Sequence, residues 1–213
     1  MHYVFLVILS LPLAQRNEVP PQVSSTVGLR GSGGIEGAGV AVAVSGKQLL
    51  VLTAAHLVGE GDLAVQITFF KGTGAAGVSR AKTVYRSPEC DIAFLRLDGS
   101  PTNVQPLKLA PARSLVGPGD PGVRSIGCDR GFPVSRSESI LGKRLLTHGE
   151  GSWAFFWQAR DPSLPGRSGG PLLNASDELL GICSGYQAGK GYYTHIDEIR
   201  ASWKRSLTGW PIP

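Results

Sequence analysis

The apolar segments of this chain are short, and turn-forming residues separate them along its whole length. Of 213 residues, 29 are glycine and 15 are proline, and most of them lie between apolar runs of four to eight residues. Runs of that length bounded by Gly and Pro are typical of β-strands. Only residues 196–207 carry apolar side chains at helical spacing, on one face. The sequence therefore predicts an all-β chain with a helix near its C-terminal end.

The strands fall into two groups on either side of a proline-rich connector at 98–122. This division predicts a first domain at 31–104 and a second domain at 105–213, preceded by an extended tail at 15–30. A short helical turn is expected at 54–58. The predicted strands are 39–44, 48–53, 63–70, 81–85 and 92–97 in the first group, and 123–127, 139–146, 153–158, 170–173, 179–184 and 192–195 in the second.

An apolar run at 3–13 is broken only by Ser10 and Pro12. It is too short to span a membrane as a helix, which takes about 20 residues. Its length fits the hydrophobic region of a signal peptide ending after Ala14, although no Lys or Arg precedes it. We therefore predict a signal peptide at 1–14, a secreted or periplasmic location and no stable membrane span. The alternative is an irregular N-terminal strand.

Charge and cysteine content narrow the range of partners. The net charge is +5, but Lys and Arg are scattered, and nucleic-acid binding would need a basic stripe interleaved with aromatic residues. We predict no nucleic-acid partner. Cys90, Cys128 and Cys183 are odd in number and lack metal-ligand spacing, so at most one disulfide can form within the chain, and its pairing stays open. No metal or cofactor motif is present, and we predict none.

Three short motifs carry the candidate chemistry: residues 52–56 read LTAAH, residues 91–95 read DIAFL, and residues 166–171 read GRSGGP. A serine hydroxyl needs an adjacent base to act as a nucleophile, and His56 could serve Ser168 in that role. Asp91 could fix the tautomer of His56 and stabilise its charged form. Asp98, at the other end of the same predicted strand, is the rival candidate, but it belongs to a turn.

The glycines around Ser168 allow a sharp turn whose amides point at one place. In this arrangement the backbone N–H groups of Gly166 and Ser168 would stabilise a developing oxyanion.

The three motifs together resemble those of the chymotrypsin-like (trypsin-like) serine peptidases, and the resemblance is closest to the bacterial HtrA-like branch. It covers about 37–207. It implies two six-stranded antiparallel β-barrels with a triad of His56, Asp91 and Ser168 between them, and polypeptides as substrates. It also implies that Ser184, Gly185 and Tyr186 form the edge strand that pairs with the substrate, and that residues 191–194 form the far wall of the primary specificity pocket.

Three features depart from the family pattern. Digestive and clotting members carry an aspartate before the serine, which pairs with the N-terminus created by zymogen cleavage, whereas this chain has Arg167. The PDZ domain usual in HtrA proteins is not expected within these 213 residues. The aspartate that selects basic side chains in trypsin is replaced by Pro162, so we favour a preference for small or medium aliphatic side chains over basic ones.

Two functional hypotheses follow. The first is a serine endopeptidase that acts through an acyl-enzyme on Ser168. The second is a catalytically silent domain of the same fold that serves as a protein-binding or chaperone-like module, because Arg167 beside the nucleophile could distort the oxyanion hole. An α/β-hydrolase esterase is disfavoured, since its acid and histidine follow the serine in sequence. The physiological substrate and the oligomeric state stay open.

Overall fold

The computed structural model of the chain describes residues 21–31, 34, 36–60, 64–71, 74–99, 104–111, 116–147 and 152–211. The predicted signal peptide at 1–14 lies outside these residues. The elements are α1 (Pro21–Ser24), β1 (Thr26–Arg30), β2 (Glu36–Ser45), β3 (Gln48–Thr53), β4 (Ala64–Lys71), β5 (Gly74–Ser87), β6 (Ile92–Asp98), β7 (Arg124–Gly127), β8 (Val134–Ser137), β9 (Ile140–Thr147), β10 (Trp153–Ala159), β11 (Pro171–Leu173), β12 (Leu179–Gln187), β13 (Lys190–His195) and α2 (Ile196–Ser206). A 3-10 turn at Ala55–Leu57 follows β3, where the helical turn was predicted.

The first half of the chain is a closed antiparallel barrel of six strands in the order β1-β2-β3-β6-β5-β4. Central strands β3 and β6 are apolar almost throughout and are buried, because the barrel interior covers one face and the second half of the chain covers the other. The barrel interior is filled by apolar side chains, among them Val27, Leu29, Leu49, Val51, Ile67, Phe69, Leu95 and Leu97. The all-β prediction and the first six-stranded barrel are confirmed.

The barrel begins earlier in the chain than the sequence suggested. Residues Thr26–Arg30, predicted as part of an extended tail, form β1, which pairs with β2 and β4 and closes the barrel. The tail prediction at 15–30 is therefore wrong in its described part. The segment TVGLR contains glycine and ends in arginine, so it lacked the continuous apolar signal that marked the other barrel strands.

The second half forms a sheet of seven strands in the order β8-β7-β11-β12-β13-β10-β9, instead of the six expected. The strand that the sequence did not predict is β8, which pairs with β7. Its sequence VSRS has a single apolar residue and exposes every second side chain, so no apolar run marks it.

An apolar cluster joins the two halves. Phe94 of β6 meets Trp203 of α2 edge-on, with the ring centroids 5.4 Å apart. The connector crosses between the halves here, since Leu107 N–H donates to Ala41 O (2.9 Å) and Leu109 bridges to Leu179. Helix α2 is therefore fixed across the joint between the barrel and the second sheet. The division at 104/105 stays a prediction.

Candidate active site

His56 lies in the 3-10 turn after β3, at the rim of the first barrel. The apolar side chains of β3 are buried and fix where the strand ends, so the next residues emerge at the rim. His56 contacts one carboxylate through two of its groups: its backbone N–H donates to Asp91 Oδ1 (3.0 Å), and its Nδ1 lies 3.0 Å from Asp91 Oδ1 and 2.9 Å from Asp91 Oδ2. The imidazole is 36% exposed. These contacts orient the ring and leave part of it open to solvent.

Asp91 is fully buried, at 0% exposure, in the turn before β6. Its φ of +52° is left-handed, a conformation that Asp tolerates better than most residues. A buried carboxylate is costly without partners. The partners of Asp91 include the backbone and imidazole of His56 and Ser184, whose hydroxyl donates to Oδ2 at 2.6 Å. Asp98, the rival candidate, instead accepts from the side chain of Gln48.

The turn that carries Ser168 is packed against the barrel rim near His56. Ser168 O accepts from Ala38 N at 2.7 Å. Gly169 has φ +78°, and a Cβ there would stand 2.2 Å from both Ala38 O and Thr53 Oγ1. Only glycine fits this close approach. The half-buried Ser168 is thus held beside the strand end that leads to His56.

The proposed oxyanion donors lie on the same turn. Gly166 has φ +84°, and its carbonyl accepts from Cys128 N at 3.0 Å, while Ser168 O is committed to Ala38. Within the described part of the chain, the N–H groups of Gly166 and Ser168 donate to no backbone or side-chain acceptor. Both amides are therefore available to another acceptor.

The predicted substrate edge lies on β12. Its first residues pair with β11, but Ser184, Gly185 and Tyr186 lie beyond the end of that pairing, so on this edge no described strand covers them. The side chain of Ser184 is directed to Asp91, a role the sequence did not suggest. Gly185 O accepts from the Ser163 hydroxyl at 3.0 Å, and the Tyr186 side chain is exposed.

A cavity of about 390 Å³ opens beside this edge. Its lining combines polar residues with Leu146, Phe156 and Tyr192 from β9, β10 and β13. Gly185 and Tyr186 border it, and a Cβ on Gly185 would meet open space. The missing side chain at Gly185 therefore adds to the room beside the edge strand.

The orientation of the Arg167 side chain is the feature of this region that the sequence did not reveal. This side chain points into the second half of the chain, where it is 1% exposed, and its guanidinium donates to Asp129, Val134 and Ser125. No spacing in the sequence connected Asp129 with Arg167, because the contact joins two turns that lie 38 residues apart.

The three cysteines are free thiols. Burial raises the pKa of Cys183 to about 11, and burial together with the nearby Asp129 charge raises the pKa of Cys128 to about 12. Burial is also the main cause of the raised pKa of Cys90. All three thiols are therefore protonated at neutral pH and poor nucleophiles.

Among the described residues, no group of three or more His, Cys, Asp and Glu side chains is arranged to hold a metal ion. In the same part of the chain, every helix is too short or too polar to cross a bilayer.

The sequence pattern of the trypsin-like peptidase domain matches residues 37–182. A "Probable periplasmic serine endoprotease DegP-like" of Pseudomonas putida strain W619 is 35% identical over 106 residues, which is 49% of this chain and 21% of that protein. The protein of the same name from Pseudomonas fluorescens strain Pf-5 is 32% identical over 105 residues, with the same two shares. The matched region is thus about a fifth of the length of these relatives.

Solved structures share the fold at lower identity. The active form of the Rv3671c protease from M. tuberculosis has a TM-score of 0.70 at 22% identity and covers 90% of this chain and 84% of its own. A serine endoprotease from Yersinia pestis has a TM-score of 0.66 at 20% identity and covers 88% and 64%. The matched domain spans more than half of the chain and includes all three sequence motifs. This chain belongs to the trypsin-like peptidase family.

Proposed function

We propose that the chain is an endopeptidase in which Ser168 is the nucleophile, His56 the general base and then acid, and Asp91 the residue that orients His56. The observation that carries this proposal is the fully buried Asp91 carboxylate on His56 Nδ1, at the rim where the Ser168 turn packs. A carboxylate on Nδ1 keeps the proton on that nitrogen and leaves Nε2 as the basic one.

The reaction follows from these positions. Ser168 Oγ attacks the scissile carbonyl carbon as its proton passes to His56 Nε2, and the carbonyl oxygen becomes an oxyanion. The N–H groups of Gly166 and Ser168 stabilise that charge, and each such donor is worth about 10²- to 10³-fold in rate. His56 then protonates the leaving amine, and the acyl-enzyme forms as the C–N bond breaks. Water attacks the ester by the same steps and releases the second product.

The edge of β12 also supports a polypeptide substrate that binds as an added strand of the sheet. The uncovered edge at Ser184, Gly185 and Tyr186 offers backbone groups to an extended chain, a common mode of peptide recognition. We propose that these residues bind the substrate backbone. A secreted or periplasmic location is proposed on the apolar run at 3–13 and agrees with the periplasmic name of the Pseudomonas relatives.

The side-chain preference is proposed to be small or medium aliphatic. Gly191, which the resemblance assigns to the wall of the specificity pocket, is closely approached by the segment after β10: a Cβ there would stand 2.7 Å from Asp161 O and 3.2 Å from Ser163 Oγ. The buried hydroxyl of Ser163 is already engaged with Gly185 O. Such close packing at Gly191 favours a short substrate side chain over a long basic one.

Labelling by a fluorophosphonate probe tests the catalytic proposal. We expect the folded protein to label, Ser168→Ala and His56→Ala to lose labelling, and Ser176→Ala, which changes an exposed serine on a turn, to label like the parent. Peptide hydrolysis measured on the same samples should follow the labelling. A folded parent protein that neither labels nor hydrolyses peptides would contradict the proposal and favour a silent binding module.

A further inference from the structure

Arg167 is among the largest fully buried side chains of the protein, although it directly precedes the proposed nucleophile. A buried guanidinium is costly unless it is paired and its donors are satisfied. Its presence in the interior therefore requires a dedicated set of acceptors.

The acceptors come from one neighbouring stretch of chain. Nη1 donates to Asp129 Oδ1 at 2.6 Å and to Val134 O at 3.2 Å. Nη2 donates to Ser125 O at 3.0 Å and to Ser125 Oγ at 2.7 Å. Among the described residues Nε has no partner. The Asp129 carboxylate is itself only 11% exposed, so the ion pair is shielded from solvent.

The same stretch also contacts the backbone of the catalytic turn. Gly166 O accepts from Cys128 N at 3.0 Å, and a Cβ on Gly166 would lie 2.9 Å from Asp129 Cα. A Cβ on Gly127 would lie 2.6 Å from Arg167 Cγ. Residues 127–129 thus pack closely against residues 166–167, and the Arg167 side chain links the two segments.

The hydrogen-bond network of Arg167 extends beyond its direct partners. Ser125 Oγ accepts from Arg167 and donates to Glu138 Oε1 at 2.6 Å, and Tyr193 OH donates to the same carboxylate oxygen at 2.9 Å. Arg167 is in this way connected to β7, to the segment before β9 and to β13. A buried network that pairs both Nη atoms of Arg167 in this way rigidifies its surroundings.

We propose that Arg167 is a positioning residue: by its buried bonds to Asp129 and Ser125 it holds the turn so that the N–H groups of Gly166 and Ser168 point to one oxyanion. This proposal rests on the proposed function. All acceptors of Arg167 lie within the folded second half, so the turn takes its active shape on folding and needs no newly cut N-terminus. The guanidinium thereby stabilises the oxyanion hole from below.

Arg167→Met tests this directly, because Met fills similar space without donors. We expect kcat for peptide hydrolysis to fall about 10²-fold, the loss typical of one oxyanion donor, with KM within a few-fold. A peptide aldehyde, which mimics the tetrahedral state, should bind weaker by the same factor as kcat/KM falls. The pH dependence of kcat/KM should keep its shape, because His56 and Asp91 are untouched. Arg200→Met is the matched control, since it removes another guanidinium that lacks an Nε partner and sits on α2.

Amide hydrogen exchange gives a readout that does not depend on activity. In Arg167→Met we expect faster exchange at Gly169 and Gly170, whose N–H groups bond to Cys183 O and Arg167 O, and unchanged exchange in β3. If Arg167→Met does not fold, Arg167→Lys is measured in its place, since a single ammonium can meet Asp129 but not both Asp129 and Ser125.

The two proposals fail in different ways. A folded parent protein without labelling or hydrolysis overturns the proposed function. If the parent protein is active and its Arg167 variants keep both kcat and the exchange rates at the turn, the positioning role of Arg167 is overturned. Equal losses in Arg167→Met and Arg200→Met would also overturn it, because the effect would then be general destabilisation.

Discussion

The two halves of the chain hold their functional residues by different means. In the first barrel the interior is apolar, and Asp91 and Thr53 sit at the rim, where hydrogen bonds satisfy them. In the second half, Arg167 and Glu138 are buried inside and are joined through Ser125. The first half thus places its residues by the shape of a packed core, the second by directional bonds.

This difference predicts different responses to mutation. An apolar core loses stability when a side chain is shortened, but the remaining packing keeps the rim in place. A buried polar network loses direction when one partner is removed, because the other partners are left unsatisfied. We therefore expect core changes in the first barrel to act on the free energy of unfolding and network changes in the second half to act on turnover.

The largest effect is expected at the rim of the first barrel. Asp91→Asn keeps the size of the side chain but can leave His56 in the wrong tautomer, and kcat should fall about 10⁴-fold. Asp98→Asn, at the far end of strand β6, is the matched control, and its kcat should equal that of the parent protein. The measurement is steady-state hydrolysis of a peptide substrate. Comparable losses in both variants would show that Asp91 acts through the fold and not through His56.

The second effect separates stability from turnover. Leu95→Ala opens the first barrel's core and should lower the free energy of unfolding by about 2–5 kcal/mol. Urea unfolding measures this loss, and kcat of the folded fraction should stay unchanged. Leu145→Ala, at a side chain that is 50% exposed, serves as the control and should cost less than about 0.5 kcal/mol. A fall in kcat of Leu95→Ala at full folding would contradict the division between the halves.

The third effect is a pH dependence carried by the second half. Burial, assisted by the Lys143 charge and opposed by Asp197, lowers the pKa of His195 to about 4 from its ordinary 6.5. The neutral ring packs on Trp157 and its Nδ1 accepts from Asp197 N, which caps α2. The unfolded chain therefore binds this proton first as pH falls, and stability should drop by about 1–3 kcal/mol between pH 6.5 and pH 4.

His195→Asn isolates this contribution, because Asn also caps a helix but does not titrate. As the pH is lowered through that window, we expect the unfolding free energy of the parent protein to fall more than that of the variant. Urea unfolding at pH 7, 5.5 and 4.5 measures it. A difference that is constant with pH would show that His195 keeps its ordinary pKa in the folded state.

The sequence predicted the parts of the molecule that are marked by apolar runs or by glycine. Strand β3, the turn with His56 and the positive-φ glycines of the turn around Ser168 follow from such local signals. Strand β8 and the buried hydrogen bonds of Arg167 do not follow from local signals. The sequence VSRS has no apolar alternation, and the partner of Arg167 lies 38 residues away on a turn. The sequence places a charged residue directly before Ser168 but does not show to which side its side chain points. It therefore suggested that Arg167 could distort the oxyanion hole, whereas the side chain points into the second half of the chain.

The smallest effect concerns the bond that links the two halves at the site. Ser184 of the second half donates to Asp91 of the first at 2.6 Å, and Ser184→Ala would leave the buried carboxylate with one bond fewer. A hydrogen bond to a charged acceptor is worth about 1.5–3 kcal/mol. Because His56 keeps its contacts with Asp91, we expect the lower end, about a tenfold fall in kcat. Ser184→Thr retains the hydroxyl and should restore most of the rate in the same peptide assay. If Ser184→Thr were as slow as Ser184→Ala, the loss would come from the substrate edge strand, and the two halves would not be coupled through Asp91.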